Sequence, residues 1–345
     1  MTEALRAGQY VHNTATEQFE TELAEFLGVP DVVAVSRCTA ALHLALLVAG
    51  VGPGDEVVVP SQTFCATIHA IVMAGARPRF ADIDPDTLCV TAATVAEAIT
   101  PRTRAVLPVL YGGRAIDLNG VHDTVIEDAA HAFGSHQAAT RVGATGALTC
   151  FSFGPIKNLT CIEGGALIPR TREEADTARA LRLLGVTQSQ AARIRSSACQ
   201  VDGPGWPYHL SAVHAAVGRV QLARFGAVAT MRKQLWRAYA RELAPLGTVS
   251  LVDVDVELSV PFNCVIRVPE RDRVFAAMRN QGIGVGVHYP PNHLQPAFAR
   301  WRRRLPVTEA TAQEILSLPF HPGMSKQDVK RVVSTLQVAV EEAAA

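Results

Sequence analysis

The chain of 345 residues carries no net charge at pH 7 and has no long apolar run. Its 32 basic residues are balanced by 32 acidic ones, so no general electrostatic field draws it to nucleic acid. No apolar stretch reaches the roughly 20 residues that cross a bilayer. The start, MTEALRAGQYVHN, lacks the pattern of a signal peptide. We therefore expect a cytoplasmic protein that binds a small ligand and neither nucleic acid nor a membrane.

The sequence also lacks the common patterns for disulfides, metals and nucleotides. Its seven cysteines are widely spaced and include no Cys-x-x-Cys pair, which is typical of thiols in a reducing compartment. The 11 histidines have no metal-ligand spacing, and no GxxxxGKS/T, HExxH or GxSxG motif occurs. The glycines of GVGPGDEV precede a strand, so they predict a turn and not a dinucleotide site. No metal is expected, and the sequence contains none of the motifs that usually indicate nucleotide hydrolysis or serine hydrolysis.

Lysine is scarce in this chain, because four lysines stand against 28 arginines. Lys157 is the only lysine before Lys233, and it lies in the apolar stretch CFSFGPIKNLTCIEGGALI. A buried salt bridge is one interpretation of such a lysine. The other is chemical, because a partly buried amine can lose its proton and act as a nucleophile and base.

The pattern of hydrophobic residues predicts an α/β architecture. Short strands such as DVVAVS, DEVVVPS, RPRFADI, RAVLPVLY, DTVIEDAA and LTCFSF alternate with helical segments, as in βαβ units. This alternation favours a mainly parallel sheet with helices on both faces. After GPGWPYHLS, a single long helix is predicted from about residue 211 to 244, followed by a smaller α+β pattern. We place a large domain at residues 1–235 and a small C-terminal domain at 236–345.

Two strand ends carry a carboxylate and an amine. In VIEDAAHAFGS, Asp128 ends an apolar strand where a parallel sheet exposes its ligand crevice, although a helix N-cap is the alternative interpretation. Lys157 follows the later strand LTCFSF, which we expect to end near the same crevice. Pyridoxal 5'-phosphate (PLP) needs both groups, since its aldehyde reacts with a lysine and its pyridine nitrogen pairs with a carboxylate. The pair therefore indicates a PLP site.

Two further residues match the phosphate and the ring of PLP. Thr39 in SRCTAALHLAL lies at the N-terminus of a predicted helix, where free N–H groups favour an anion. Phe64 in PSQTFCAT follows the next strand and is suited to stack on a ring. Each feature alone is typical of an ordinary cap or core aromatic. Together, and in this order, they favour the cofactor site.

The chain resembles the DegT/StrS sugar aminotransferases, which are fold type I PLP-dependent enzymes. The resemblance rests on FETELAEFLGV, PSQTFCATIHAI, ARPRFADID, VLYGGRAIDL, VIEDAAHAFGS, FSFGPIKNLTCIEGGALI, HYPPNHLQP and LSLPFHPGMS. It implies that Lys157 is the catalytic lysine bonded to PLP and that the other site residues surround it. These are Asp128 at the pyridine nitrogen, Phe64 on the ring, Thr39, Cys38 and Ser152 at the phosphate, His131 near the phenolic oxygen, and Tyr111, His288 and Tyr289 in the sugar pocket.

Two segments depart from the family pattern. Arg37-Cys38-Thr39 replaces the usual Ser-Gly-Thr, and Cys38 takes a positive φ less easily than glycine. In GWPYHLS, Pro207 stands where the family has an asparagine that reaches the partner subunit's phosphate. We expect the guanidinium of Arg37 to supply a replacement phosphate contact, because arginine binds phosphate well.

The resemblance implies transfer of an amino group from glutamate or glutamine to a keto sugar, nucleotide-linked, or to a related cyclic ketone. It also implies a homodimer with its active site at the interface. Two alternatives remain open: dehydration or elimination on the same cofactor, and a degenerate subunit that supports an active homologue. Retention of Lys157 opposes the first, and intact Lys157, Asp128 and Phe64 oppose the second. Sugars of secondary metabolism and surface polysaccharides are both compatible products.

Overall fold

The structure, a computed structural model, describes residues 6, 14–118, 120–188, 195–196 and 200–344. Helices and strands alternate through its first half and pack in layers. The helices up to residue 243 are α1 (Thr14–Leu27), α2 (Cys38–Val48), α3 (Cys65–Met73), α4 (Ala92–Ala96), α5 (Arg172–Leu181), α6 (Ala212–Ala223) and α7 (Phe225–Leu243). The strands are β1 (Val33–Val35), β2 (Glu56–Pro60), β3 (Arg77–Ala81), β4 (Thr103–Val106), β5 (Ile126–Asp128), β6 (His136–Gln137), β7 (Thr140–Arg141), β8 (Leu148–Ser152) and β9 (Gly165–Ile168).

Two hydrogen-bonded ladders form the main sheet. One has the order β3-β2-β4 and is parallel, and the other has the order β5-β8-β9-β1. Parallel bridges join Val106 to Val125 and Val109 to Asp128, so β4 lies beside β5 and the ladders are continuous. Only β9 runs against its neighbours β8 and β1. The predicted α/β fold with a mainly parallel sheet is confirmed.

Both faces of this sheet are buried. Side chains alternate across a strand, and the three residues of β1 divide accordingly. Val33 and Val35 pack into a core with α2 and α3, whereas Ala34 packs into a second core with α1 and α6. Because both faces are covered, β1 is apolar throughout and β2 is nearly so, whereas β3 and β4 each carry an exposed arginine.

The C-terminal part forms a separate antiparallel sheet with its own core. Its elements are β10 (Ser250–Leu251), β11 (Cys264–Arg267), α8 (Arg271–Asn280), α9 (Pro306–Thr311), β12 (Ile315–Leu318) and α10 (Lys326–Ala344). The strand order is β10-β11-β12, and α7, α8 and α10 pack in the same hydrophobic cluster. The boundary that we place at residue 235 falls inside α7 and stays a prediction. Within the described part of the chain, no helix combines the length and hydropathy needed to cross a lipid bilayer.

Several elements differ from the sequence expectation, among them one predicted helix and strand β9. The helix predicted from 211 to 244 is two helices, because Arg224 leaves the helical conformation between α6 and α7 (φ −102°, ψ 2°). Strand β9 was not among the predicted strands. Its four residues are buried on both faces and show no alternation, so their sequence carries little strand signal.

Candidate active site

A cavity of about 350 Å³ lies where β2, β5 and β8 end. Parallel strands bring their carboxyl ends to one edge of a sheet, so residues distant in sequence meet there. The wall contains ten of the eleven residues that the sequence predicted for the site, namely Arg37, Cys38, Thr39, Phe64, Asp128, His131, Ser152, Lys157, His288 and Tyr289.

Asp128, the last residue of β5, lies in the cavity wall and is only 5% exposed. Its Oδ2 accepts a hydrogen bond from Thr67 Oγ1 at 2.7 Å, and its Oδ1 accepts one from the backbone N–H of Ala130 at 3.1 Å. Burial raises the pKa of Asp128, whereas these two bonds and the nearby Lys157 lower it. The carboxylate is therefore a strong site for a cationic group.

Lys157 lies in the loop after β8 and faces the same cavity. Its Nζ lies 4.4 Å from the centre of the Phe262 ring. Burial lowers the pKa of Lys157, and the nearby Cys38 and Asp128 partly oppose this shift. The amine therefore loses its proton more readily than a lysine in water, as a nucleophile and base requires.

His131 packs against aromatic rings behind the cavity. Its ring stacks on Phe262 with centroids 3.9 Å apart, and its Nε2 lies 3.2 Å from the Tyr289 hydroxyl. Burial, together with the charges of Lys157 and His288, holds the pKa of His131 well below its usual value. The imidazole is therefore neutral and is available as a hydrogen-bonding group.

The N-terminus of α2 forms one end of the cavity. Arg37 is its extended N-cap residue and makes no side-chain cap hydrogen bond, so the first N–H groups of the helix are available to an anion. Thr39 and Ser152 lie in the wall beside them. Cys38 begins the helix without a positive φ, so the replacement of glycine at this position causes no backbone strain. The Cys38 thiol turns to the carbonyl of Cys150 at 3.8 Å.

Arg37 has a different partner from the one that the sequence suggested. Its Nη2 lies 3.5 Å from Oε1 of Glu163, and the two side chains are 66% and 38% exposed. Glu163 also lines the cavity. The phosphate contact expected for Arg37 stays a prediction.

Tyr111 is the predicted site residue that does not reach the cavity wall. It is 1% exposed, its hydroxyl donates to the His288 carbonyl, and its ring meets His131 edge to face. Tyr111 therefore supports His288 from behind, and its expected place in the sugar pocket stays a prediction. Pro207 forms a bridge with Leu183 and is also absent from the wall, while its relation to a second subunit stays a prediction.

Three residues that complete the site were not predicted. Thr67 lies on α3, four residues after Thr63, which precedes the helix. The Thr67 hydroxyl is 2.8 Å from that of Thr63 and donates to Asp128, so the spacing of four residues was an available signal. Phe262 precedes β11 and meets Lys157 only through the closure of the fold, and no local pattern marks it. Glu163 follows Lys157 in the sequence and precedes β9, whereas Arg37 follows β1. These strands are neighbours, with Val35 paired to Gly165, so strand pairing brings the two side chains together.

Comparisons with known proteins show the family of this chain. The model of the DegT/DnrJ/EryC1/StrS aminotransferase family matches residues 1–337. The aminotransferase TlmJ from Streptoalloteichus hindustanus is 33% identical, with a TM-score of 0.93 over 100% of this chain and 95% of that one. DesV from S. venezuelae is also 33% identical, with a TM-score of 0.91 over 100% of this chain and 93% of that one.

A third solved structure carries the cofactor. Spr1654 from Streptococcus pneumoniae in its PLP form is 26% identical, with a TM-score of 0.91 over 99% of this chain and 95% of that one. The alternating α/β order and the single reversed strand are consistent with the fold type I architecture of such enzymes. The chain therefore belongs to the DegT/DnrJ/EryC1/StrS aminotransferase family, whose members are PLP-dependent enzymes of the sugar aminotransferase type.

Proposed function

We propose that the chain moves an amino group from an amino acid, glutamate or glutamine, to a keto sugar that is nucleotide-linked, or to a related cyclic ketone. The observation that carries this proposal is the shared cavity of the Lys157 amine and the buried Asp128 carboxylate. Both groups are needed by an aminotransferase, and neither has another charged partner within hydrogen-bonding distance among the described residues.

The residues of the cavity fit PLP. Asp128 suits a protonated pyridine nitrogen, and the 56% exposed ring of Phe64 suits one face of the cofactor. Thr39, Ser152 and the free N–H groups of α2 suit the phosphate. When bound, PLP supplies an electron sink that lets an amino acid lose its α-proton.

Lys157 performs the proton transfer in this proposal. Its Nζ takes the proton from the α-carbon of the donor and returns it on the cofactor side, acting first as a base and then as an acid. The lowered pKa of Lys157 makes its amine easier to deprotonate than that of a lysine in water. Thr67 and the Ala130 N–H oppose the effect of burial on Asp128 and so help it to stay ionised.

We further propose that the enzyme works as a homodimer. Two large apolar side chains of the cavity wall, Phe64 and Ile156, are more than half exposed in the single chain, and Ile162, next to the lining residue Glu163, is half exposed. Apolar side chains grouped at the mouth of a polar site are typical of a surface that a second protein covers.

The proposal is tested with the Lys157→Ala variant. We expect the purified parent protein to bind PLP, to become covalently linked to it at Lys157 on borohydride treatment, and to convert to the pyridoxamine form with L-glutamate. Lys157→Ala should lose this link and convert about 10²-fold to 10⁴-fold more slowly.

A matched control is Lys233→Ala, because Lys233 is a partly exposed residue of α7 that lies outside the cavity wall and donates to the carbonyl of Glu257. It should behave as the parent protein. A parent protein that ignores PLP, or a Lys157→Ala variant with undiminished conversion, would contradict the proposal. Titration of the pyridoxamine form with a panel of keto sugars and cyclic ketones then identifies the acceptor.

A further inference from the structure

The charged side chains of the cavity wall divide into two pairs. Among the cavity-lining residues of the described chain, the charged ones are Arg37, Asp128, Lys157 and Glu163. The proposed function assigns Lys157 and Asp128 to the cofactor. Arg37 and Glu163 are left, and they carry opposite charges at the rim of the same cavity.

The contact between Arg37 and Glu163 is weak. The Nη2 and Oε1 atoms are 3.5 Å apart, which is longer than a good charge-assisted hydrogen bond, and both side chains are substantially exposed. Exposed ion pairs of this kind add little free energy, because water screens them. Either partner can therefore be taken up by a ligand that enters the cavity.

The backbone before Glu163 is held in an unfavourable conformation. Ile162 has φ of +75°, which a β-branched residue rarely adopts, and its side chain is 50% exposed, so core packing does not explain it. The Ile162 N–H donates to Thr160 Oγ1 at 3.0 Å, and the Cys161 thiol donates to the Glu163 carbonyl at 3.1 Å. Strain of this kind collects at functional sites, and here it presents Glu163 to the cavity.

An aminotransferase must accept two unlike molecules in one cavity. The amino donor carries a carboxylate, whereas the sugar ring carries hydroxyls and no charge. A guanidinium binds a carboxylate through two parallel hydrogen bonds, and a carboxylate accepts hydrogen bonds from hydroxyls. Of the cavity-lining side chains that the structure describes, Arg37 is the only guanidinium. His131 is buried and His288 is half-buried, and neither replaces it, since burial lowers the pKa of each.

We propose that Arg37 and Glu163 form a substrate-selecting pair, in which Arg37 leaves Glu163 to bind the carboxylate of the amino donor and Glu163 accepts hydroxyls of the sugar. The inference rests on the proposed aminotransfer and adds the residues that tell the two substrates apart. Glu163 neutralises Arg37 while the uncharged sugar occupies the cavity, so the guanidinium is never left without a counter-charge.

The test uses Arg37→Gln and Glu163→Gln as holoenzymes. Arg37→Gln should lower the affinity for L-glutamate about tenfold or more. This affinity is measured from the conversion to the pyridoxamine form and by calorimetric titration of the borohydride-fixed enzyme. Glu163→Gln should bind L-glutamate more tightly than the parent protein, because the internal competitor for Arg37 is gone. The pyridoxamine form of Glu163→Gln should have a lower affinity for the keto sugar than that of the parent protein.

Two matched control variants are Arg237→Gln and Glu257→Gln, which break an exposed ion pair between α7 and the loop after β10. Both should leave L-glutamate binding unchanged. Arg37 could bind the phosphate of PLP or the carboxylate of the amino donor. The affinity of the apoprotein for PLP, followed by fluorescence, distinguishes these two roles. Arg37→Gln could lower the affinity for PLP while L-glutamate binds the borohydride-fixed enzyme as tightly as in the parent. In that case Arg37 binds the phosphate of PLP, and the inference is overturned.

Equal L-glutamate affinity in Arg37→Gln, Glu163→Gln and the parent protein also overturns the inference, while leaving the proposed aminotransfer intact. A parent protein that never reaches the pyridoxamine form with any amino acid overturns both. Opposite changes in L-glutamate affinity for the two variants support the pair, because a purely structural role of the ion pair would move both variants in the same direction.

Discussion

Thr67 is the residue that determines how Asp128 is held. It accepts a hydrogen bond from Thr63 at 2.8 Å and donates one to the Asp128 carboxylate at 2.7 Å. Because the carboxylate is buried, each such bond matters more than it would in water. The Thr67 bond lowers the pKa of Asp128, against the larger effect of burial, which raises it.

Thr67→Val should therefore raise the pKa of Asp128, because it removes a bond to the ionised form and keeps the shape of the side chain. The carboxylate then becomes protonated at a higher pH, so the loss of PLP affinity on acidification should begin at a higher pH than in the parent protein. At neutral pH we expect PLP to bind about tenfold more weakly. The check is the dissociation constant of PLP as a function of pH.

Thr67→Ser keeps the hydroxyl and should follow the parent curve. If Thr67→Val shows the same pH profile and PLP affinity as Thr67→Ser, the hydrogen bond has no role in holding Asp128 ionised.

At the scale of elements, the segment between β5 and β6 packs directly on the first residue of α7. Gly134 has φ of +85°, and a Cβ built on it would lie 2.4 Å from a ring carbon of Phe225. No side chain fits there unless Phe225 moves, and Phe225 is buried in the core that α1 and α6 share. This close approach fixes the position of the first residue of α7, the helix that packs on the small sheet.

Gly134→Ala should reduce the free energy of unfolding by about 2–4 kcal/mol, because it combines an unfavourable φ with overpacking against Phe225. The matched control is Gly146→Ala. Gly146 also has a positive φ, +89°, but a Cβ added there would have no atom within 4 Å. It should cost only about 1 kcal/mol, from φ alone. Urea denaturation of the two variants measures the difference, and equal losses would show that Phe225 yields without cost.

At the scale of the whole molecule, the cavity is open on the side where Phe64 and Ile156 are exposed. Ile156 is 65% exposed and immediately precedes Lys157. A second subunit that covers this side would shield the apolar side chains and the reacting amine from water together.

Sedimentation should accordingly give a mass of about twice 36.9 kDa for the parent protein. Ile156→Asp should dissociate the dimer, because it introduces a charge where the second subunit excludes water. Ile156→Asp should also lower the affinity for PLP. Val338→Asp, at a 49% exposed position of α10, should remain dimeric. A parent protein that sediments as one chain would contradict the homodimer.

Local sequence patterns predicted the alternation of strands and helices, the mainly parallel sheet, and Lys157, Asp128, Thr39 and Phe64 as site residues. The other six predicted residues of the cavity wall came from the resemblance to the aminotransferase family. The alternation of short apolar runs with helical segments predicted the parallel sheet. Asp128 ends β5 and Lys157 lies in the loop after β8, at the edge where a parallel sheet gathers its ligand groups. The sequence missed the break at Arg224 and the reversed strand β9, because a long apolar pattern hides a single non-helical residue and four buried residues have no period.

Only the tertiary structure decided which distant side chains meet. The ring of Phe262 lies over Lys157, Tyr111 stands behind His288, and Arg37 faces Glu163. Each of these contacts joins segments that the chain connects only through the folded sheet, so spacing along the sequence contains no record of them. The sequence therefore determined that a lysine and a carboxylate share a site, whereas the closure of the fold decided their surroundings, because contact depends on strand order and not on neighbourhood along the chain.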